Sequence, residues 1–179
     1  FVITRTGAIE AVKVRTEAQS HVLSIIREVG STQNTSEILS DMGIKFTFPK
    51  PVGLISYLIS MVADKSALVL DSFAGSGTTA HATLQLNKAD DGNRRFILVQ
   101  LPYESDVQKN NGVNICEQLT AKRVRSVIEG YTNAKGEKVE GLGGGFRYCE
   151  LGDPLFNEVG KIRETVSFSD LATHVFFTE

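Results

Sequence analysis

The sequence predicts an α/β fold built around a parallel strand–turn–helix–strand unit, and three observations predict it. Leu68-Val69-Leu70 is a short apolar run that ends in an acid, Asp71, and leads directly into a turn holding Gly75 and Gly77. A small-residue helical segment leaves that turn at Thr78. A second apolar run, Phe96-Ile97-Leu98-Val99, follows a polar stretch. Short apolar runs bounded by turn signals read as buried strands. Strand, helix and strand in that order imply a right-handed parallel crossover.

Composition sets the outer bounds. The 179 residues, 41% hydrophobic and 22% charged, suit one globular domain with an appended piece. A net charge of −2 argues against nucleic-acid binding through overall charge and leaves only a local basic face for that purpose. Cys116 and Cys149 stand far apart, with no Cys-x-x-Cys and no His cluster, so neither a metal site nor a disulfide is expected. No apolar run reaches membrane-spanning length and the start carries no secretory pattern, so a cytoplasmic protein with no membrane partner is expected. The chain opens on Phe1 rather than Met and stops after Val175-Phe176-Phe177-Thr178-Glu179, which reads as a piece cut from something longer.

The elements follow in order. Residues 1–14 alternate apolar and polar as one or two short strands, with Thr6-Gly7-Ala8 as the turn. Thr16-Glu17-Ala18-Gln19 has capping-box spacing, and Ala18, Val22, Ile25, Ile26 and Val29 recur at helical spacing until Gly30. A polar loop over 30–34 leads to a helix from Ser36 to Met42, capped by Thr35 and ended by Gly43. Phe46-Thr47-Phe48-Pro49-Lys50-Pro51 cannot be regular helix, because each proline pushes the residue before it toward an extended conformation. Pro51 suits a first helical turn, and Val52, Ile55, Leu58, Ile59 and Val62 form an inward stripe behind it.

After the strand Ala67–Asp71, a helix is expected over Thr78–Asn87, with Ala80 and Ala82 packing closely, Leu84 as the apolar anchor and His81 partly exposed. Residues 88–94 read as a polar turn before the second strand. A long helix over Val113–Glu129 turns Ile115, Leu119, Val124, Val127 and Ile128 inward and puts Lys122, Arg123 and Arg125 on a basic outer side. That side is either a solvated face or a phosphate-contacting one. Residues 131–144 read as a glycine-rich exposed loop and 145–151 as a late strand broken by Gly152-Asp153-Pro154, and Ser169-Asp170-Leu171-Ala172 starts a short helix.

The chemistry centres on the turn after Asp71. Gly75 and Gly77 tolerate positive φ and carry no Cβ, so the backbone can turn sharply and a ligand can lie against it. Thr78 and Thr79 open a helix whose first amides lack intrahelical partners. Three readings compete. A phosphate-binding P-loop needs a Lys before the Ser or Thr, and Gly77-Thr78 has none; a dinucleotide site fits Gly75-x-Gly77-x-x-Ala80; a packing turn needs no ligand at all.

Asp71-Ser72-Phe73-Ala74-Gly75-Ser76-Gly77-Thr78-Thr79 closely resembles the Asp-Pro-Phe-x-Gly-Ser-Gly-Thr-Thr motif with which amino-methylating DNA methyltransferases of the β order bind S-adenosylmethionine. Phe46 to Ile55 stands upstream where that family has its Lys-Pro-Val/Leu-x-Leu-Ile helix start. Arg94 to Leu101 and Gly145-Phe146-Arg147-Tyr148 look like the modification subunits of type III restriction systems.

The resemblance implies a Rossmann-like S-adenosylmethionine-dependent methyltransferase fold of which this chain is the cofactor-binding half. It implies a tail of the target-recognition region over 1–34, the cofactor half over 35–151 and an extension over 152–179. Implied cofactor contacts are Phe48, Lys50, Asp71, Phe73, Gly75, Ser76, Gly77, Thr78, Thr79 and Gln100. Lys50 would meet the cofactor carboxylate or a DNA phosphate. Gln100 stands where the family usually has an acid for the ribose, which puts that contact in doubt and weakens a nicotinamide cofactor as an alternative.

The implied activity is adenine-N6 methylation of double-stranded DNA within a restriction-modification system, with a homodimer and a restriction subunit as partners. The alternative is a non-catalytic dimerisation or docking piece. Leu101-Pro102-Tyr103-Glu104 is not the catalytic Asp/Asn-Pro-Pro-Tyr signature, which occurs nowhere in the sequence, so no catalytic or metal-binding residue is expected and the chain alone should not methylate DNA.

Overall fold

The computed structural model describes residues 2–3, 9–10, 26–62 and 64–178. The chain forms two compact units, Phe1–Gly145 and Phe146–Glu179.

In the first unit, β1 (Val2–Ile3) pairs antiparallel with β2 (Ile9–Glu10), in keeping with the alternation there. The expected turn at Thr6-Gly7-Ala8 lies outside the described residues. So does most of the helix expected from Thr16, and residues 26–29 are not helical.

Helix α1 spans Thr32–Asp41, one turn earlier than Thr35 as cap would allow. Ser31 takes the cap instead, its Oγ accepting from the Asn34 amide at 3.1 Å, and Thr35 turns inward with its hydroxyl donating to the Ser31 carbonyl. Both are cap-type residues, and the helix continues back to the one whose backbone is extended. Gly43 ends it as expected: its amide donates to Ser40 and that of Ile44 to Leu39, the paired bonds of a glycine-terminated helix.

Pro49 is fully buried, whereas Phe48 has φ +57 rather than the extended backbone expected before a proline. Helix α2 (Val52–Val62) buries Ile59, but Leu58 and Val62 of its expected inward stripe are exposed.

Strands β3 (Leu68–Asp71) and β4 (Arg95–Leu98) pair in parallel, Leu68 against Arg95 through Asp71 against Leu98. They are joined by α3 (Thr78–Asp90), which packs against both strands and against α2. Ala80, Ala82 and Leu84 are buried, as expected. The strands are not buried on both faces: Leu68, Leu70, Ile97 and Val99 are exposed while Val69, Phe96 and Leu98 are half-buried. One sheet face is covered by helix and the other lies bare.

The stretch expected as a polar turn instead supplies the last turn of α3 and a clamp. The Asn87 amide group both accepts from the Arg94 amide and donates to its carbonyl, and the Arg94 guanidinium meets Asp90 through two bonds of 3.0 and 2.9 Å.

A short α4 (Asp106–Asn110) follows, capped by Ser105. The long helix is present, but it begins with a π-helical turn, Cys116–Ala121, before α5 (Lys122–Glu129). Arg123 is wholly buried, a correction to its expected place on a basic outer side. Residues 130–140 are not all loop, since β5 (Gly130–Thr132) and β6 (Lys138–Glu140) form a hairpin.

The second unit shows no strand over 146–151; its elements are an isolated bridge between Phe156 and Ile162 and helix α6 (Phe168–Thr178), capped by Ser167. Among the described residues no helix is long and apolar enough to cross a membrane.

Candidate functional site

The turn from Asp71 to Thr79 is built from the carboxyl end of β3 upward. Asp71 acts first on its own loop. Its Oδ1 accepts from the Phe73 amide at 3.1 Å and its Oδ2 from the Thr79 hydroxyl at 2.5 Å, which ties the strand end to the first turn of α3. The Ala74 amide donates to the Val99 carbonyl and the Gly77 amide to that of Ala74, closing a tight turn. Gly75 (φ +51) and Gly77 (φ +77) sit in the left-handed region that this turn requires. A Cβ at Gly77 would stand 3.2 Å from Thr120 Cγ2, so helical packing demands glycine there as much as any ligand would.

Side chains from three directions hold the inner side of the loop. Gln100 Oε1 accepts from the Gly75 amide at 2.8 Å, and Gln100 Nε2 donates to the Leu101 carbonyl. One lone pair and one N–H of this amide group are therefore used within the protein, leaving one of each. Thr120 Oγ1 donates to the Gly75 carbonyl at 2.6 Å. Arg123 Nη1 donates to Ser76 Oγ and Thr78 Oγ1, both at 2.9 Å, and to the Ser76 carbonyl at 3.3 Å. Its Nη2 meets His81 Nδ1 at 3.3 Å. A guanidinium only donates, so Nδ1 accepts and the imidazole is neutral with its proton on Nε2.

Charge follows burial here. Burial, reinforced by the neighbouring Arg123 cation, pulls the His81 pKa down to about 3. Burial likewise lowers the Arg123 pKa to about 10, with a small opposing push from Tyr131, and the guanidinium stays charged at neutral pH.

The start of α3 differs. There Thr78, Thr79 and Ala80 are themselves buried, and their amides have no backbone acceptor among the described residues, as the start of a helix leaves them. Phe73 is 89% exposed and Phe48 is 79% exposed, two aromatic faces open to solvent. Phe48 holds its positive φ without being glycine, a strained state of the kind that clusters at ligand sites.

The structure thus brings Asp71, Gly75, Ser76, Gly77, Thr78, Thr79 and Gln100 into one bonded assembly. Phe48 and Lys50 are exposed on the segment leading to α2. Upstream, Phe46 lies close to the loop, its Cζ 3.4 Å from where a Gly75 Cβ would be. Sequence reasoning missed Thr120 and Arg123 as loop partners. Their signal was available in Thr120, Arg123 and Val127, which recur at helical spacing on one face. Among the described residues no group of three His, Cys, Asp or Glu could hold a metal ion.

Comparison with known proteins identifies this loop's relatives. A family model described as DNA methylase matches residues 11–105, which carry Phe46 to Pro51, the glycine loop and Gln100. The type III restriction-modification enzyme EcoPI Mod subunit of Escherichia phage P1 is 32% identical over 85% of this chain and 23% of that protein. The StyLTI Mod subunit of Salmonella typhimurium is 38% identical over 53% of this chain and 15% of that protein. The type II methyltransferase M.KpnI of Klebsiella pneumoniae is 36% identical over 59% of this chain and 26% of that protein. The chain spans about a quarter or less of the length of these relatives. With more than half of its residues inside the family match, and with similarity to type III Mod subunits, the chain belongs to the DNA methylase family.

Proposed function

We propose that this chain is the methyl-donor half of an adenine-N6 DNA methyltransferase of the type III modification kind, a partial Rossmann-like fold whose glycine loop binds S-adenosylmethionine. The observation that carries the reading is the two-sidedness of the Asp71–Thr79 loop: its inner polar groups are bonded to Gln100, Thr120 and Arg123, while the first amides of α3 have no backbone acceptor. The donor set fits such a ligand. Helix-start amides favour a carboxylate or hydroxyl oxygen, exposed Phe48 and Phe73 offer flat apolar surface to a purine, and Gln100 keeps one donor and one acceptor for a ribose. Lys50 supplies a mobile positive charge for the donor's carboxylate or a DNA phosphate. S-adenosylmethionine, when bound, supplies the electrophilic methyl group. What this chain contributes is binding and orientation.

The remainder of the site belongs to sequence beyond this chain. The bare sheet face and the absence of an Asp/Asn-Pro-Pro-Tyr sequence both favour that division. The substrate is double-stranded DNA; the names of the Mod relatives support a restriction subunit as partner in a restriction-modification system, and a second copy of the chain is a further partner in this reading.

Calorimetric titration with S-adenosylmethionine and its demethylated product tests the reading. Binding in the low-micromolar to millimolar range is expected, and Gly75→Val, which forces a side chain into the left-handed region of the loop, should abolish it. An unchanged affinity in Gly75→Val would sink the proposal, and transfer of labelled methyl groups to DNA by this chain alone would refute the division of the site.

A further inference from the structure

Arg123 is 0% exposed, yet no carboxylate pairs with it among the described residues, and its Nε has no hydrogen-bond partner. A buried cation without an opposite charge is expensive. Packing alone therefore does not account for arginine at this position. What arginine does that a hydrophobe cannot is bond three acceptors of the glycine loop at once, the Ser76 carbonyl, Ser76 Oγ and Thr78 Oγ1.

We infer that Arg123 is a positioning residue for the methyl-donor loop: from beneath the loop it fixes Ser76 and Thr78 in the one conformation that presents the amides of α3 to the ligand. This rests on the loop being the S-adenosylmethionine site. Two neighbours extend the same device. Thr120, on the adjacent turn of the same helix, holds the Gly75 carbonyl, and neutral His81 accepts from Nη2, keeping the guanidinium plane facing the loop. The π-helical turn Cys116–Ala121 contains Thr120 and leads into the turn with Arg123, so an irregular helix places both side chains under the loop.

The test compares Arg123→Met and Arg123→Lys with the wild type in the full-length protein, measuring S-adenosylmethionine affinity, KM and kcat for methyl transfer, and Tm. Arg123→Met leaves buried Ser76 and Thr78, together with His81, without their donor and should lower Tm; at a temperature where the variant stays folded, donor affinity should weaken and the donor KM rise about tenfold or more, while kcat falls less than threefold and the KM for DNA does not move. Arg123→Lys keeps the charge but cannot span Ser76 and Thr78 together, so it should recover only part of the affinity. Donor affinity within twofold of wild type in Arg123→Met would overturn the inference, as would a fall in kcat and a rise in the KM for DNA as large as the loss of donor affinity. Should Arg123→Met not fold, Thr78→Val, which removes one acceptor and keeps the backbone amides, should still weaken donor binding severalfold; an unchanged value overturns the inference. A wild-type protein that binds no donor overturns the cofactor reading itself, and this inference with it.

Discussion

The carboxyl end and the uncovered face of the β3–β4 pair are built on opposite principles. At the carboxyl end, polar groups of the loop meet partners contributed by β3, the segment after β4, α3, the π-helical turn and α5: Asp71 to Thr79, Gln100 to Gly75, Thr120 to Gly75, Arg123 to Ser76 and Thr78. Along the strands themselves, Leu68, Leu70, Ile97 and Val99 lie uncovered on one face. A parallel sheet is ordinarily covered on both faces. The contrast separates a braced loop from a sheet with one exposed face.

A pair of charge insertions breaks that contrast most strongly. Val124 is 1% exposed behind the loop, its Cγ2 3.6 Å from where a Gly77 Cβ would stand, so Val124→Asp buries an unpaired carboxylate and should cost about 4 kcal/mol or more and unfold the first unit. Leu70 is 63% exposed on the bare face, and Leu70→Asp should change the stability of this chain by no more than about 0.5 kcal/mol. Denaturant melts of the two variants decide it. Equal losses would mean the sheet face is already part of the core, and a severe loss from Leu70→Asp only in the full-length protein would locate the missing cover there.

How much of this was legible in the sequence differs between the same two regions. The strand–loop–helix–strand order could be read because apolar runs, glycines and cap residues are local signals, and the parallel β3–β4 pairing and the start of α3 at Thr78 agree with them. Burial of the strands could not: an apolar run is the same whether or not a second layer covers it. Arg123 was misplaced for a different reason. It stands four residues before Val127 and so shares the buried face of α5, but its residue type argued for solvent and outweighed its position. Only acceptors more than forty residues away in sequence, on Ser76 and Thr78, make its burial tolerable. The hairpin β5–β6 and the π-helical turn were missed because a polar glycine-containing stretch and a shifted helical register leave no periodic mark.

The pH dependence of stability sharpens the braced side. His81 titrates near 3 in the folded chain against 6.5 for the free side chain, so above pH 6.5 it is neutral in both states and contributes no slope. As pH falls below 6.5 the unfolded chain takes up a proton that the folded chain refuses, and stability drops by up to about 1.4 kcal/mol per pH unit. Urea midpoints between pH 7 and 4.5 should therefore decline more steeply for the wild type than for His81→Gln. Parallel profiles would show that His81 is free to charge beside Arg123, and the brace would then be looser than its 3.3 Å contact indicates.

A modest effect is expected at the edge of the brace, at Thr79. Its hydroxyl gives Asp71 a bond of 2.5 Å, and a hydrogen bond to a charged group contributes about 1.5–3 kcal/mol. Thr79→Val keeps the shape of the side chain and removes that donor, leaving Asp71 Oδ1 still bound to the Phe73 amide. Because Asp71 remains half-exposed, water replaces part of the loss, so a decrease of about 1 kcal/mol is expected. The comparison with Leu70→Asp is then direct, since both changes lie on or beside β3. A measurable cost at Thr79 with none at Leu70 says that the strand is held at its carboxyl end by the loop. The reverse order would place its anchorage along the sheet face instead.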